Sequence, residues 1–423
     1  MTVLHNLSRL CTFHRLVHNR YCVTKSVRRV STVVCTSPIT IKNPNKGLNP
    51  SVGINFMRDC SSDFIKIPCG HCPECIGVRQ LNFTQRVQVE ALVNHIFFLT
   101  LTYNNESLPY VQDHLVDPRS GDCVELDLDR PVRYADFRDF SLMMMRLRNS
   151  GAVPADTRFV TVSELGSSRG RPHFHSLLFI PKSPGDDFNK CLELEHSLFS
   201  AVLSEWRRNY GSRRVPVYRP LCTYVRRFVR GELRTNFDLH YVNPCLTDGS
   251  EGDVAFYVSK YMVKPSDRVR RLQSYLRLNL DEEQYKSVWQ VVRPRYSASH
   301  LFGLSGFYDS SKDGNFRFSP KKECLDYIRD CVLYSRSNFD SPHFVNPVDG
   351  SCFPLSRFYL NRLDCVSIDD WRFFWQKQVS SGRRIDNLTI DERSRNALLN
   401  SIDLWNHKMS NFNFDSDDLD DLF

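Results

Sequence analysis

The stretch Arg171-Pro172-His173-Phe174-His175-Ser176-Leu177-Leu178-Phe179 decides how the rest of the chain is read. It sets two histidines one residue apart at the start of an apolar, strand-like run. Side chains alternate between the faces of a strand, so His173 and His175 point one way while Phe174 points the other way, into a core. Two imidazoles side by side on one face of a sheet make half of a metal site. An exposed strand edge is the competing reading of the same three residues.

Just upstream, residues 159–163 form a second apolar run. The loop 164–172 that joins the two begins with Glu164 and carries Arg169, Gly170, Arg171 and Pro172. If the two runs are antiparallel neighbours, so short a loop returns His173 close to Glu164. A divalent cation held by two imidazoles needs further ligands, often a carboxylate. Glu164 supplies one without any appeal to distant sequence.

Farther out, residues 74–94 read as a helix and 96–103 as a strand. Residues 134–148 have a helical pattern, and 188–209 form a long amphipathic helix. Residues 218–241 alternate aromatic, aliphatic and basic side chains, as strands or a hairpin do. Residues 253–264 are expected to be helical. The order strand, helix, strand, strand, helix predicts an α+β fold with a ferredoxin/RRM-like antiparallel sheet core. The expected organisation is a basic flexible arm (1–34), a Cys-rich segment and helix (35–95), the core (96–270), a helical and irregular region (271–410) and an acidic tail (411–423).

The helix at 253–264 carries Tyr257 and Tyr261, four residues apart and therefore on one face. Lys260 and Lys264 are close by. A phenol is a weak nucleophile near neutral pH, its unperturbed pKa being about 10. It attacks a phosphodiester only when the phosphate is polarised and the developing charge is offset, tasks suited to a metal and a lysine. The plain alternative is a buried helix face made of Phe256, Tyr257, Val258, Tyr261, Met262 and Val263.

The chain has 423 residues, enough for two or three domains, and 41% hydrophobic residues, ample for a globular core. No apolar run reaches the roughly 18 residues of a membrane helix, so no membrane association is expected. A net charge of +8 fits a polyanionic partner. The charge is uneven: residues 1–58 contain no Asp or Glu, and the end, residues 414–423, is acidic. Such ends read as solvated interaction segments, with a transit-peptide reading of the basic start ranked behind. Fifteen cysteines without a secretory signal point to a reducing compartment.

Cys69, Cys72 and Cys75 form Cys-x2-Cys-x2-Cys, with Cys35 or Cys60 as a fourth ligand. Structural zinc is the first reading and unligated thiols the second. The bacterial ferredoxin pattern lacks its fourth Cys-Pro. Downstream, Arg207, Arg208, Arg213, Arg214, Arg219, Arg226, Arg227, Arg230 and Arg234 are interleaved with Trp206, Tyr210, Tyr218, Tyr224 and Phe228. Guanidinium groups and rings in that mixture suit single-stranded nucleic acid; a solvated basic face is the alternative.

Taken together, these segments resemble the replication initiators of the HUH endonuclease superfamily, and more narrowly those of the Microviridae, single-stranded DNA phages, especially the gokushovirus type. Phe98-Leu-Thr-Leu-Thr-Tyr103, Glu164 with Arg171-Pro-His-Phe-His175, and Tyr257-Val-Ser-Lys-Tyr261 carry the likeness. So do Pro68-Cys-Gly-His-Cys-Pro-Glu-Cys75 and Pro354-Leu-Ser-Arg-Phe-Tyr359. The resemblance implies a metal-dependent nick in the origin strand of a rolling-circle replicon. A tyrosine becomes 5′-phosphotyrosine, a 3′-OH is released to prime synthesis, and the second tyrosine serves rejoining. It also implies Glu164, His173 and His175 as ligands of Mg²⁺ or Mn²⁺, Tyr257 and Tyr261 as nucleophiles, and Lys260 beside the scissile phosphate.

The implied partners are single-stranded or supercoiled origin DNA and, since no Gly-x4-Gly-Lys-Ser/Thr loop occurs, a host helicase and replication machinery. The implied location is the cytoplasm of a bacterial host. The acidic end Asp420-Asp-Leu-Phe423 is similar to the tip of bacterial single-strand binding proteins, or simply solubilises the chain. Two other functions compete: a transposase or relaxase with the same metal centre, and a non-catalytic zinc-containing single-stranded DNA-binding protein.

Overall fold

The computed structural model describes residues 35–380, apart from 56–57, 71, 117–120, 122, 167–169, 213, 223–227, 230–231, 234–236, 243–266, 311–315, 348–349 and 363. The described chain forms two compact units, one built from the residues up to Val89 and again from Pro320, the other running from Glu90 to Ser319. No helix among the described residues is long and apolar enough to cross a membrane.

The second unit is organised by a five-stranded antiparallel sheet. Its strands are β1 (Asn94–Thr102), β2 (Arg158–Leu165), β3 (Pro172–Pro181), β4 (Phe237–Val242) and β5 (Tyr296–Ala298). They lie in the order β4-β1-β3-β2-β5. Helix α1 (Phe137–Asn149) lies between β1 and β2 in the chain, and α2 (Phe188–Glu205) between β3 and β4. The first four strands thus follow the ferredoxin-like plan expected of the sequence, with β1 and β3 at the centre. β5 is an addition beyond β2.

One face of the sheet carries the core. Phe97, Leu99 and Leu101 alternate along β1, and Phe174, Leu178 and Ile180 along β3. They meet Phe140, Met143, Met144 and Leu147, which repeat at helical spacing on α1, and Leu198 and Val202 of α2. Burying an aliphatic or aromatic side chain of this size contributes roughly 1.5–3 kcal/mol. A one-residue slip of β3 would exchange Phe174 for His173 and His175 in that core, so the apolar pattern sets the register. Helix α1 begins where the Asp136 side chain accepts from the Arg138 amide, and α2 where Asp187 accepts from Lys190.

The helical periodicity that runs on to residue 209 stops early, at Trp206. Its indole is fully buried and donates Nε1–H to the Thr102 carbonyl at 3.2 Å. Arg207–Asn209 then pair with Tyr218–Pro220 as a short hairpin. A buried indole needs a partner for its N–H, and the one available lies on β1 rather than on a continued helix.

Behind the sheet's other edge sits a buried charge. Arg158 donates Nε–H to Glu90 Oε1 at 3.1 Å and its other nitrogens to the carbonyls of His300 and Gly306. Glu90, fully buried, also accepts from the amides of Gly303 and Ser305 at 2.8 and 3.2 Å and from Asn94 Nδ2 at 3.1 Å. The same loop holds Leu301 and Ser305 at φ of 46° and 43°, a conformation costly for residues with a Cβ. The carboxylate holds the loop in place.

In the first unit, Ile39–Lys42 pair with Phe64–Ile67, and a helix spans Pro73–Ala91. Helices Lys322–Asn338, Arg357–Arg362 and Ile368–Ser380 and the hairpin of His343–Val345 with Cys352–Pro354 complete it. Gln85 joins them through both ends of its amide: Nε2–H donates to the Pro354 carbonyl, and Oε1 accepts from the Ser356 amide.

Candidate functional site

Strand register assembles the site. Glu164 on β2 lies directly opposite His173 on β3, and Val162 opposite His175. Across the other edge of β3, Thr100 lies opposite His175 and Thr102 opposite His173. Glu164, His173, His175 and Thr100 therefore share the face that Phe174 does not. The loop brings Glu164 back to His173 by simple antiparallel pairing, as the sequence suggests.

The polar atoms converge. His175 Nε2 lies 3.2 Å and His173 Nε2 3.6 Å from Glu164 Oε2. One donor atom from each residue lies within 4.8 Å of the others. The rings stand edge to face, centroids 4.8 Å apart, and Phe98 stacks parallel to His175 at 5.8 Å. His173 Nδ1 sits 3.0 Å from the Arg171 carbonyl. A carbonyl only accepts, so Nδ1 carries the proton and Nε2 presents its lone pair toward Glu164. On His175, Nδ1 faces the Thr100 hydroxyl at 3.3 Å. Each ring is thus held through the nitrogen that points away from the convergence.

Protonation follows from the same contacts. Burial alone would raise the Glu164 carboxyl, but hydrogen bonds and charge attraction from His173 and His175 outweigh it and hold the group at about 2. Burial pushes the His175 imidazole down, against the raising effect of Glu164. A carboxylate and imidazoles offering lone pairs, largely withdrawn from water, form a donor set that fits a divalent cation. These three residues could hold a metal ion.

Two contributors carry no signal of their own in the sequence. Thr100 is one, although its alternation with Leu99 and Leu101 puts it on the histidine face. Gly166 is the other: its amide donates to the Arg171 carbonyl at 2.9 Å, and a Cβ there would come within 3.2 Å of the His173 ring. Tyr257, Lys260 and Tyr261 lie outside the described residues.

Cys35, Cys69, Cys72 and Cys75 form a second group that could hold a metal, their sulfurs all within 4.8 Å of one another. The fourth position goes to Cys35; Cys60 instead directs its sulfur to the Asn55 carbonyl at 3.8 Å. Among the arginines singled out from sequence, Arg208 is engaged in an ion pair with buried Asp139, its Nε 3.0 Å from Oδ1, and Arg207 pairs with Glu205 at 3.1 Å. Arg207 also lies over Tyr218 at 4.4 Å and Arg219 over Tyr210 at 5.2 Å, both rings being exposed.

Comparison with known proteins adds to this geometry. Residues 96–266 match a family model described as a replication-associated protein of the ORF2 type. That span holds Glu164, His173, His175 and both tyrosines. Over 288 residues the chain is 23% identical to the replication-associated protein ORF4 of Chlamydia phage 1, an alignment covering 66% of this chain and 57% of that protein. The chain thus spans less than two thirds of the relative's length. Both comparisons support the resemblance to Microviridae-type replication initiators. No solved structure matches the chain.

Proposed function

We propose that this protein initiates rolling-circle DNA replication by nicking the origin strand through a tyrosine. The observation that carries the reading is the convergence of Glu164, His173 and His175 on one face of the central strands. A bound Mg²⁺ or Mn²⁺ would supply Lewis-acid polarisation of a DNA phosphate. The chain's own residues do the rest. His173 and His175 present Nε2 atoms whose direction is set by Arg171 and Thr100, and Glu164 contributes a carboxylate. The oxygen of Tyr257 or Tyr261 attacks phosphorus, and the bond from phosphorus to the 3′ oxygen breaks. The phenol loses its proton, and the departing 3′ oxygen takes one up. Lys260 offsets charge at the phosphate. The second tyrosine accepts the strand again when the circle is closed.

Chain connectivity is compatible with this. Six residues separate Tyr261 from Asp267, a span of at most about 20 Å. Asp267 opens the helix Asp267–Asn279, whose Leu272 and Leu276 share an apolar cluster with Leu165, the neighbour of Glu164. The substrate is single-stranded or supercoiled origin DNA in the cytoplasm of a bacterial host, with host helicase and replication proteins as partners.

The test mixes the full chain and Mn²⁺ or Mg²⁺ with single-stranded oligonucleotides tiled from the replicon, and looks for a covalent adduct on a denaturing gel. One oligonucleotide should yield a metal-dependent adduct, lost in His173→Ala. Adducts that persist in the Tyr257→Phe, Tyr261→Phe double variant would refute the nucleophiles. Full activity in His173→Ala would refute the metal site. No adduct under any condition would favour the non-catalytic binder.

A further inference from the structure

The first unit contains a ribbon too small to stand unaided. Ile39–Lys42 and Phe64–Ile67 share four paired positions, and Ile39 and Phe64 are 47% and 62% exposed. A lone two-stranded ribbon is marginal in water. Small, poorly cored segments are commonly held by a covalent or metal staple. The four cysteines sit where a staple would act: Cys35 before the first strand, Cys69 just after the second, Cys72 immediately before the helix Pro73–Ala91 and Cys75 in its first turn.

We propose that Cys35, Cys69, Cys72 and Cys75 bind one Zn²⁺ as a structural site that clamps both ends of this ribbon to the start of the helix. Four thiolates around zinc at about 2.3 Å stand about 3.8 Å from each other along the edges of the tetrahedron. The Cys72 and Cys35 sulfurs are 3.7 Å apart. That is too far for a disulfide, whose sulfurs are about 2.05 Å apart, and none of the four is in one. All four sulfurs fit within 4.8 Å, the compactness of a single ion. A cluster of several irons and sulfides would hold its thiolates farther apart, outside the inorganic core.

Zinc with four thiolates carries a net charge of −2, and the surroundings are arranged for it. The Cys69 amide donates to Cys35 Sγ at 3.2 Å and the Cys72 amide to Cys69 Sγ at 3.3 Å. The positive end of the helix dipole lies at Cys72 and Cys75. Gly70, at φ +80°, makes the turn between the first two helix-proximal cysteines, and the Arg79 guanidinium packs against it so closely that a Cβ would lie 2.7 Å from Nη2. The site closes a 34-residue separation between Cys35 and Cys69. Closing a loop of that length restricts the unfolded chain, as a disulfide would.

The test uses the full chain carrying His173→Ala and His175→Ala, so that the imidazole site does not contribute metal. Protein from zinc-supplemented cells is desalted, its metals are counted by mass spectrometry, and its zinc edge is examined by X-ray absorption. One zinc per chain with four sulfurs at about 2.3 Å is expected. Loss of that zinc is expected in Cys72→Ser, Cys75→Ser, and its retention in Cys60→Ser. Should the double serine variant fail to fold, the absorption spectrum of the cysteine-intact protein still decides. On chelation, hydrogen exchange of residues 39–42 and 64–67 should accelerate. Substoichiometric zinc, iron in its place, or nitrogen or oxygen in the first shell overturns the proposal.

Discussion

Replacing Thr100 by valine removes one hydroxyl and keeps the shape of the side chain, which makes it a sharp probe of how His175 is held. In the structure that hydroxyl is 3.3 Å from His175 Nδ1, on the neighbouring strand and the same face. If His175 binds a cation through Nε2, the contact fixes ring orientation and tautomer from behind. Loss of such a supporting contact costs 10–100-fold in metal affinity. Because 3.3 Å is at the long end for a hydrogen bond, the expected loss is near the lower bound, about tenfold or about 1.4 kcal/mol. Titration calorimetry of the full chain with Mn²⁺ reads this directly. Valine is at home in a strand, so folding should be preserved. Thr100→Ser should restore affinity, since it returns the hydroxyl. A valine variant that binds Mn²⁺ as tightly as the parent, or a serine variant as weak as valine, would refute the positioning role.

Three further outcomes follow from other parts of the molecule. Glu90→Leu leaves Arg158 buried with only carbonyl partners; an uncompensated buried charge costs about 3–5 kcal/mol, so the urea midpoint followed by Trp206 fluorescence should fall sharply, and an unchanged midpoint counts against the network. Burial pushes the His343 imidazole down, opposed by its bond to the Ser341 carbonyl. With the folded value below the unfolded one of about 6.5, its contribution is present above that pH and is lost as pH falls through the folded value. His343→Phe should therefore lose less stability than the parent between about pH 7.5 and about pH 5.5, and equal losses would contradict the assignment. Arg219→Ala, on the exposed hairpin beside Tyr210, should weaken single-stranded DNA binding and reduce the salt slope by about 0.7; an unchanged slope removes Arg219 from the phosphate contacts.

The site is legible in the sequence where its geometry is local. His173 and His175 share a face because a strand has a period of two, and Glu164 meets them because nine residues separate it from His173 in one hairpin. The strand order follows from the alternation of apolar runs with amphipathic helices. What escapes depends on distance along the chain. Glu90 meets the Gly303 amide across 213 residues, and no local pattern announces such a pair. Nothing prefers Cys35 to Cys60 until the ribbon brings its two ends together. The strand Tyr296–Ala298 is three residues long, too short for periodicity to speak. Trp206 reads as one more apolar position on a helix, because nothing nearby in sequence reveals that its indole donates to Thr102. The tyrosine helix expected at 253–264 falls outside the described residues.

The alternation along β3 has a consequence for how this chain can change. His173 and His175 occupy odd positions and serve the converging donors, whereas Phe174 and Leu178 occupy even ones and serve the core. Parity along a single strand therefore separates two kinds of selection. A substitution at an odd position can alter chemistry while leaving the fold's stability nearly untouched, and one at an even position does the reverse. A lineage of such proteins can retune its metal or its substrate one residue away from the residues that keep it folded.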